Sequence, residues 1–309
     1  TAPTGTSPRS PAAIASAMAA SIWLVNVIGF HALSRPCLAT PQLRSQCNGM
    51  TDEIYDPAYV AALFDRCSLR YRRWSAVSSF GFVWLWRRHC VDRLRGQSQV
   101  ARIQNGQVTK RAPKCPQVVD LMAGTGEIWP HVFDAFPRAQ ITAIDISPNM
   151  HAHAVTRLHQ TRSRQITHLN ANALDTDLPA SSADMVVATF GLKTFNADQQ
   201  TVLAHQIARI LREGGCFSLI EASDPKGWLL RPLYRAYLDR ALPLLERVFL
   251  HGAQDFSMIG AYTQNFGDCA HMADALRAAG LNVTYQRHFF GCATSVAGTK
   301  PIAPDAPAP

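Results

Sequence analysis

The sequence contains few charged residues, and acidic residues are the scarcer kind. Only 17% of its 309 residues are charged, below the roughly 25% typical of soluble domains. Lys and Arg number 30 against 22 Asp and Glu, which leaves a net charge of +8 at pH 7. A basic chain favours anionic partners such as nucleic acid, anionic lipid or a phosphorylated substrate. A solvated basic face would give the same balance, so charge alone selects no function.

The cysteines and histidines lack the spacing of metal-binding motifs. The eight cysteines include no C-x-x-C pair, and no group of histidines stands at zinc-ligand spacing. Scattered single cysteines are typical of reduced thiols in a cytosol-like compartment. We therefore expect no metal in this protein.

Acidic residues are absent from the first 51 residues. The charged residues of this part are Arg9, Arg35 and Arg44. Residues 11–34 carry no charge. Three interpretations are open for residues 1–49: an organelle transit peptide, a membrane-anchoring helix, or sequence upstream of a start at Met50. We favour the third, because a folding pattern begins only near Asp52.

Residues 50–113 are predicted to form an N-terminal helical cap. Apolar residues stand there at helical spacing: Val60, Leu63, Phe64 and Cys67. Residues 79–89 are dense in aromatic residues and also contain arginines. This mixture suits RNA stacking, a membrane interface, a lid over an apolar ligand, or a helix packed on the core with its arginines outward. We favour the packed helix, and we interpret residues 97–113 as a linker.

From residue 117 the pattern alternates between strands and helices. Strands are predicted at residues 118–121, 141–144, 166–169, 185–189, 216–220, 283–290 and 294–298. Helices are predicted at residues 129–136, 149–159, 197–211, 229–250 and 269–279. This alternation predicts an α/β fold with a parallel sheet and helices on both faces. We therefore assign residues 114–300 to one domain and the Pro- and Ala-rich residues 301–309 to a disordered tail.

A glycine loop joins the first predicted strand of this domain to the next helix. Residues 120–127 read DLMAGTGE, and Gly124 and Gly126 allow a sharp turn and a close approach to a ligand. Ligands of open parallel sheets bind at the carboxyl ends of the strands, where this loop lies. A dinucleotide fingerprint needs a third glycine. Trp129 occupies that position, which opposes a pyrophosphate ligand.

Polar residues follow the next two predicted strands. Asp145 ends the second strand, where an acidic side chain can accept both ribose hydroxyls of a nucleoside or cap the following helix. Asn170 and Asn172 follow the third strand, where amide and backbone groups can read an adenine edge or form an ordinary turn. Together with the glycine loop, these residues predict a nucleoside-containing ligand.

Several motifs in order over residues 59–300 resemble the UbiE-type family, the C-methyltransferases of ubiquinone and menaquinone biosynthesis. The first of them are Phe64-Asp-Arg66, Tyr71, Ser79-Phe-Gly81 and Trp86-Arg-Arg88. The later ones are residues 120–127, Asn172-Ala173, Phe190-Gly-Leu192, residues 211–215, Glu221-Ala-Ser223 and the segment from Gly291 to Lys300. The resemblance implies the Rossmann-like, seven-stranded fold of class I methyltransferases, with an antiparallel last strand. It also implies S-adenosylmethionine (SAM) as the cofactor.

The resemblance places the cofactor contacts at the loop and at the strand ends. The residues expected to contact SAM are Asp120, Ala123, Gly124, Thr125, Gly126, Asp145, Ile146, Asn172, Ala173 and Thr189. On the substrate side, residues 191–194 read GLKT where the family has Gly-Leu-Arg-Asn. Residues 258–263 read MIGAYT where it has Tyr-Leu-x-x-Ser-Ile, and Phe290-Gly-Cys-Ala293 replaces a segment with Gly-Gly. The chain therefore matches the family better on the cofactor side than on the substrate side.

Catalytic candidates follow from the chemistry that the resemblance implies. Methyl transfer from a sulfonium is an in-line displacement, for which the protein supplies proximity, alignment and exclusion of water. An aromatic carbon acceptor also needs a group that favours the phenolate and removes the ring proton. Lys193 stands at the family's Arg position and is our first candidate, with a surface lysine as the alternative. Tyr262 and His288 are weaker candidates.

Our hypothesis is methylation of a lipophilic aromatic, quinol-like acceptor at or near a membrane surface. Residues 80–86 would wall the apolar substrate site, as the resemblance implies. The expected partners are this substrate and a membrane surface contacted by the basic–aromatic N-terminal helices. A homodimer is one option, and nucleic acid is not expected. The expected location is the cytoplasm, peripheral to the inner membrane, or the mitochondrion if residues 1–49 are a transit peptide.

Other functional classes stay open at this point. One is a methyltransferase that modifies oxygen or nitrogen of another small molecule. A second is an oxidoreductase or other nucleotide-binding α/β protein, which the missing third glycine opposes. A third is a non-catalytic scaffold with a SAM-binding fold. A comparison of SAM with NAD in a binding assay separates these classes.

Overall fold

The computed structural model describes residues 53–100, 103–104, 107–108, 113–158, 164–242, 244 and 258–302. The chain divides into two units, Thr1–Cys47 and Asn48–Pro309, and every described residue belongs to the second. The predicted leader and most of the predicted tail therefore lie outside the described residues.

Two helices precede the sheet, α1 (Pro57–Ser78) and α2 (Phe82–Val100). Asp56 caps α1 because its side chain accepts two backbone N–H groups of the first turn, at 2.8 and 3.0 Å. Pro57 suits the first helical position, where no hydrogen bond is lost. Phe80 has a positive φ of 51°, and the chain reverses there between the two helices.

The linker predicted at residues 97–113 is wrong in its first part. Residues 97–100 continue α2. Two short strands follow, β1 (Ile103–Gln104) and β2 (Gln107–Val108), and they pair antiparallel. The polar composition of this stretch favours a linker. The helix continues through it because α2 packs on the sheet.

A seven-stranded sheet forms the centre of the described unit. Its strands are β3 (Gln117–Leu121), β4 (Gln140–Asp145), β5 (Ile166–Asn170), β6 (Ala183–Thr189), β7 (Leu211–Ala222), β8 (Asn282–His288) and β9 (Ala293–Thr299). They lie in the order β5-β4-β3-β6-β7-β9-β8. All neighbours are parallel except β9, which runs antiparallel to both β7 and β8. The predicted α/β class and the antiparallel last strand are confirmed.

Helices cover both faces of this sheet. Those that follow β3 are α3 (Trp129–Ala135), α4 (Pro148–Leu158), α5 (Ala197–Ile210), α6 (Arg231–Ala236), α7 (Met258–Phe266) and α8 (Ala270–Ala278). The main core lies between the sheet and helices α5 and α8, and Phe217 and Leu219 of β7 belong to it. Side chains alternate along a strand. Ser218 therefore faces the other side, where it contacts Cys90 of α2.

The aromatic segment at residues 79–89 is in part the packed helix that the sequence predicted. Phe82 and Trp86 are buried, whereas Trp84 and Leu85 are exposed. Arg93, one turn further on, donates to the backbone oxygens of Thr284 and Ser295 at 3.0 and 3.2 Å. Helix α2 is thereby joined to the two strands at the far edge of the sheet.

The long helix predicted at residues 229–250 is irregular. Helix α6 passes directly into one π-helical turn, Tyr237–Ala241, and most of the later residues lie outside the described ones. Helix α7 was not predicted. Within the described ranges, each helix falls short of the length or the apolarity that a bilayer-spanning segment requires.

Candidate active site

The carboxyl ends of the parallel strands open onto one cavity beneath helix α1. The cavity encloses about 780 Å³ of empty space, part of it open to solvent. Predicted cofactor contacts that line it are Ala123, Gly124, Asp145, Ile146, Asn172, Ala173 and Thr189. The structure thus brings together residues from loops that are distant in sequence.

Asp120, Thr125 and Gly126 do not line this cavity among the residues that the structure describes. The buried Asp120 carboxylate accepts the indole N–H of Trp129 at 2.8 Å, and burial raises the pKa of Asp120 to about 8. A Cβ on Gly126, whose φ is +73°, would overlap the Trp129 ring. Trp129, at the position of the missing third glycine, therefore packs under the loop and supports it.

Thr125 also supports the loop by contacts with neighbouring residues. Its hydroxyl donates to the Glu127 carboxylate, and its carbonyl oxygen accepts a hydrogen bond from Arg157 at 2.6 Å. Of the two glycines in the loop, Gly124 lines the cavity, and its φ is +56°. The two glycines thus differ in task, since Gly124 borders the ligand space and Gly126 makes room for Trp129.

Asp145 links the end of β4 to the glycine loop. Its carboxylate accepts the N–H of Gly124 at 2.7 Å and the N–H of Ser147 at 2.9 Å. Burial raises the pKa of Asp145 to about 6, while these two hydrogen bonds act in the opposite direction. A carboxylate has about four lone-pair sites, so it keeps capacity for hydroxyl donors of a ligand. Asp145 is therefore a suitable ribose-binding group.

Ser147, rather than Asp145, caps helix α4. Its hydroxyl oxygen accepts the N–H of Met150 at 3.1 Å. The same hydroxyl donates to Asp65 of α1 at 2.5 Å, and Asp65 also accepts the N–H of Asn149 at 3.0 Å. The Asp of the motif Phe64-Asp-Arg66 thus holds α1 over the carboxyl end of β4, which closes one side of the cavity.

Asn172 forms the local turn that its sequence position allowed, and it also lies at the cavity. Its side-chain oxygen accepts the N–H of Leu174 at 3.0 Å, which forms a local turn. Asn172 also lines the cavity, and its NH₂ group is a double donor. Asn170 donates from its side chain to the backbone oxygen of Asp145 at 2.9 Å, so it joins the ends of two strands. Asn170 is not one of the residues that line the cavity.

Aromatic and apolar residues line the cavity together with the polar ones. They include Phe64 and Tyr71 of α1 and Phe190 and Phe195, which follow β6. Phe190 has a φ of +64°, and Met122 has a φ of +53°. Such conformations are costly for residues with a side chain and tend to occur at functional sites. Two of the lining residues therefore have a strained backbone.

Lys193 is not the surface lysine of the alternative interpretation. It is 6% exposed and lies in the 3-10 turn Leu192–Thr194. Its ammonium donates to the Glu221 carboxylate at 2.7 Å and to the backbone oxygen of Phe190 at 3.1 Å. Lys193 does not itself line the cavity, but it holds the backbone of a residue that does. Its role in catalysis stays a prediction.

Tyr262 and His288 are both engaged in packing. The Tyr262 hydroxyl donates to the backbone oxygen of Ile54 at 2.5 Å, and its ring packs edge-on against Tyr55. His288 is hydrogen-bonded to the hydroxyl of Ser295 at 2.6 Å, and burial lowers its pKa to about 4. Neither residue lines the cavity, so a direct role in the reaction has no geometric support.

The prediction that residues 80–86 wall the substrate site is wrong for this cavity, because none of them lines it. Some residues that do line the cavity were not predicted as contacts. They are Tyr55, Arg87, Met122, Glu127, Phe190 and Gln199, together with further apolar residues. Arg87 belongs to the motif Trp86-Arg-Arg88, one of the motifs that carry the family resemblance. Its neighbour Arg88 is exposed while Arg87 is buried, and sequence spacing alone does not distinguish the two.

Within the described ranges, no group of three or more His, Cys, Asp or Glu residues is arranged to hold a metal.

Comparisons with known proteins agree with this geometry. The model of the ubiE/COQ5 methyltransferase family matches residues 52–300. The chain is 31% identical over 191 residues to the ubiquinone/menaquinone biosynthesis C-methyltransferase UbiE of Syntrophotalea carbinolica, which covers 62% of this chain and 73% of that protein. It is 28% identical over 250 residues to the demethylmenaquinone methyltransferase of Lactococcus lactis, with coverages of 79% and 91%. The corresponding enzyme of Thermus thermophilus is 27% identical over 239 residues, with coverages of 77% and 100%.

A solved structure of human N-acetylserotonin methyltransferase in complex with SAM is a more distant match. Its TM-score is 0.47 at 18% identity, and the alignment covers 75% of this chain. The chain spans 58% of the length of that protein.

Proposed function

Because this chain belongs to the ubiE/COQ5 methyltransferase family, we propose that it transfers the methyl group of SAM to a ring carbon of a lipophilic, quinol-like acceptor. Membership confirms the resemblance found in the motifs, and the chain is a SAM-dependent methyltransferase. The observation that supports the acceptor is the lining of the cavity. Beside the polar residues of the strand ends, it contains the aromatic side chains of Phe64, Phe190 and Phe195 and further apolar residues.

The residues at the strand ends and in the glycine loop suit the nucleoside part of SAM. Asp145 offers a carboxylate for ribose hydroxyls, and Asn172 offers N–H donors for an adenine edge. Ala123 and Gly124 allow a close approach because they add little or no side chain. The residues that are present therefore fit this cofactor.

SAM supplies an electrophilic methyl group carried on a sulfonium. In the proposed reaction a bond forms between this methyl carbon and a ring carbon, and the carbon–sulfur bond breaks with its electron pair on sulfur. The ring carbon then loses its proton to solvent water, to which part of the cavity is open. The protein holds the two substrates in line. Burial raises the pKa of the Tyr71 phenol, so Tyr71 stays protonated and can donate a hydrogen bond to an acceptor oxygen.

A band of aromatic rings leads from the surface to the cavity. Phe290, which is 64% exposed, contacts Phe289 at 5.4 Å between ring centroids. The ring centroids of Phe289 and Phe82 are 4.6 Å apart, and Phe82 stacks on Trp86 with the ring centroids 5.7 Å apart. Trp86 in turn lies 6.1 Å from Phe190 in the cavity wall. This apolar band of packed rings makes the surroundings of Phe190 apolar, which favours a lipophilic acceptor.

The proposed reaction is tested with methyl-labelled SAM and three acceptors. They are a quinol with an isoprenoid tail, its oxidised quinone, and a short catechol without a tail. We expect label to enter the tailed quinol as a C-methyl group, because only the reduced ring is rich enough in electrons to attack. The catechol should react more slowly because it makes fewer contacts with the apolar residues of the cavity. A product methylated on oxygen or nitrogen, or no transfer to any quinol, would contradict the proposal.

We further propose that the turn between α1 and α2 contacts an anionic membrane surface. Apolar side chains are exposed around it: Val77, Phe80, Trp84 and Leu85. Residues 66–91 contain six arginines and no acidic residue, and Arg72, Arg73 and Arg88 are exposed. Exposed aromatic residues beside cationic ones are the combination that favours the lipid–water interface. A tailed acceptor would be available at such a surface.

Vesicle sedimentation tests this contact. We expect the protein to bind vesicles that contain phosphatidylglycerol more tightly than pure phosphatidylcholine vesicles, and to lose this preference at high salt. Trp84→Ser combined with Leu85→Ser should weaken binding at least several-fold. Val202→Ser, which changes an exposed valine on α5, is the control and should bind as the parent does. Equal binding to both vesicle types, or no loss in the double variant, would refute the proposal.

A further inference from the structure

Arg87 is a buried cation with unfilled hydrogen-bonding capacity. It is 3% exposed and lines the cavity from helix α2. Among the described residues, its Nε has no hydrogen-bond partner. The guanidinium carbon lies 5.3 Å from the centroid of the Phe190 ring, an interaction that needs no N–H group. A guanidinium has five N–H donors, and burying them without acceptors is unfavourable.

Glu127 is the charged neighbour of Arg87, and the pair is loose. Their nearest atoms, Arg87 Nη2 and Glu127 Oε2, are 3.8 Å apart, which is beyond hydrogen-bond distance. The Glu127 side chain is 10% exposed, and its other oxygen accepts the hydroxyl of Thr125. Glu127 also lines the cavity, at the end of the glycine loop. Two opposite charges thus face one ligand space without satisfying each other.

We propose that Arg87 and Glu127 together bind the zwitterionic amino-acid end of SAM. The Arg87 guanidinium donates to the α-carboxylate, and the Glu127 carboxylate accepts from the α-ammonium. Asp145 binds the ribose in the same cavity, so the two ends of the cofactor are held by separate charged groups. The proposal rests on the SAM dependence of the chain and not on the identity of its acceptor.

This arrangement explains why a cation is buried beside the aromatic residues of the cavity. A guanidinium forms two parallel hydrogen bonds to a carboxylate, which fixes the carboxylate's direction as well as its position. Fixing the amino-acid end sets the orientation of the sulfonium between it and the ribose. The Phe190 ring, which contacts both Arg87 and Trp86, then separates the charged pair from the apolar band.

A comparison of two nucleosides isolates this end of the cofactor. S-adenosylhomocysteine (SAH) keeps the amino-acid end, whereas 5′-methylthioadenosine has the same adenine, ribose and thioether without it. We expect Arg87→Met to weaken SAH binding roughly 10–100-fold, as loss of charge-assisted hydrogen bonds does, and to change methylthioadenosine binding by less than about threefold. Calorimetric titration of the full chain measures both affinities without any acceptor present.

Two further variants keep the test independent of folding defects. Glu127→Gln should also weaken SAH more than methylthioadenosine, and Arg95→Met, which changes an exposed arginine of the same helix, should alter neither. Equal losses for both ligands in Arg87→Met and Glu127→Gln would overturn the proposal. Unchanged SAH affinity would overturn it too, including the case in which only the apparent affinity for the acceptor falls, since Arg87 would then bind an acceptor oxyanion.

Discussion

We expect cofactor affinity to depend on the charge of Asp145. Its carboxylate accepts N–H groups of Gly124 and Ser147, and it would accept the ribose hydroxyls of SAM in addition. Hydrogen bonds to a charged group contribute about 1.5–3 kcal/mol. Asp145→Asn keeps one acceptor oxygen and removes the charge, so we expect SAH affinity to fall about 10–100-fold at pH 8.

The pH dependence of binding provides a second measure of the same group. Burial raises the pKa of Asp145 to about 6, and hydroxyl donors bind the ionised form. SAH affinity of the parent should therefore be flat above pH 7 and fall by up to about tenfold per unit below pH 6. Asp145→Asn should not show this fall. Asp134→Asn, an exposed position on α3, is the control and should keep both the affinity and the pH profile.

The raised pKa also has a consequence for stability, with a defined sign. Between pH about 4 and about 6, folded Asp145 holds a proton that the unfolded chain has released. This group therefore stabilises the ligand-free fold at low pH, and the contribution is lost as pH rises through that window.

Titration calorimetry of SAH binding from pH 5 to 8, with the parent and with Asp145→Asn, tests the ribose assignment. An Asp145→Asn variant that binds SAH within about threefold of the parent, or a flat parent profile, would refute the ribose assignment.

Three other substitutions test the surroundings of the site. Gly126→Ala should lower the free energy of unfolding in urea by at least about 2 kcal/mol and abolish SAH binding, because its Cβ would overlap Trp129 at a positive φ. Gly96→Ala is the control. It lies in open space on α2 and should stabilise the protein by about 0.5–1 kcal/mol. Lys193→Met should lower turnover at least about tenfold, because the Phe190 backbone that Lys193 holds would shift, and it should leave SAH affinity within about threefold. Lys193→Arg should partly restore turnover. Unchanged turnover in Lys193→Met would remove Lys193 from the mechanism. Tyr262→Phe should cost about 1 kcal/mol of stability for one hydrogen bond and preserve turnover; lost turnover at normal stability would restore Tyr262 as a catalytic residue.

The secondary structure was largely predictable because the sheet is buried and regular. Most predicted strands agree with the observed ones within one or two residues, since parallel strands are read as apolar runs bounded by turns. Strand β7 is the exception. It begins at Leu211 rather than Cys216, because Gly214 and Gly215 were interpreted as a turn before the strand. The register shift between Ala183 and Met185 accommodates the additional residues.

The cofactor side of the site was predictable for a topological reason. The carboxyl ends of neighbouring parallel strands meet at one edge of a sheet, so polar residues placed after β4 and β5 had to lie near the glycine loop. Asp145 and Asn172 meet this expectation, and both line the cavity. Asp120 and Gly126 lie in the same loop but act through Trp129, and no spacing rule distinguishes these two tasks.

The glycine loop and the positions of most strands were predictable from the sequence alone, because they depend on local conformation and on the periodicity of apolar residues. The family was indicated by the resemblance of the sequence motifs, and the order of the strands came from the structure. The partners of buried charges were decided only by tertiary structure. Lys193 meets Glu221 and Arg87 meets Glu127 because separate elements pack together, and the direction of each side chain is set by that packing. Arg87 and Arg88 are adjacent and identical in type, yet the rotation of one helix places the first in the cavity and the second in solvent.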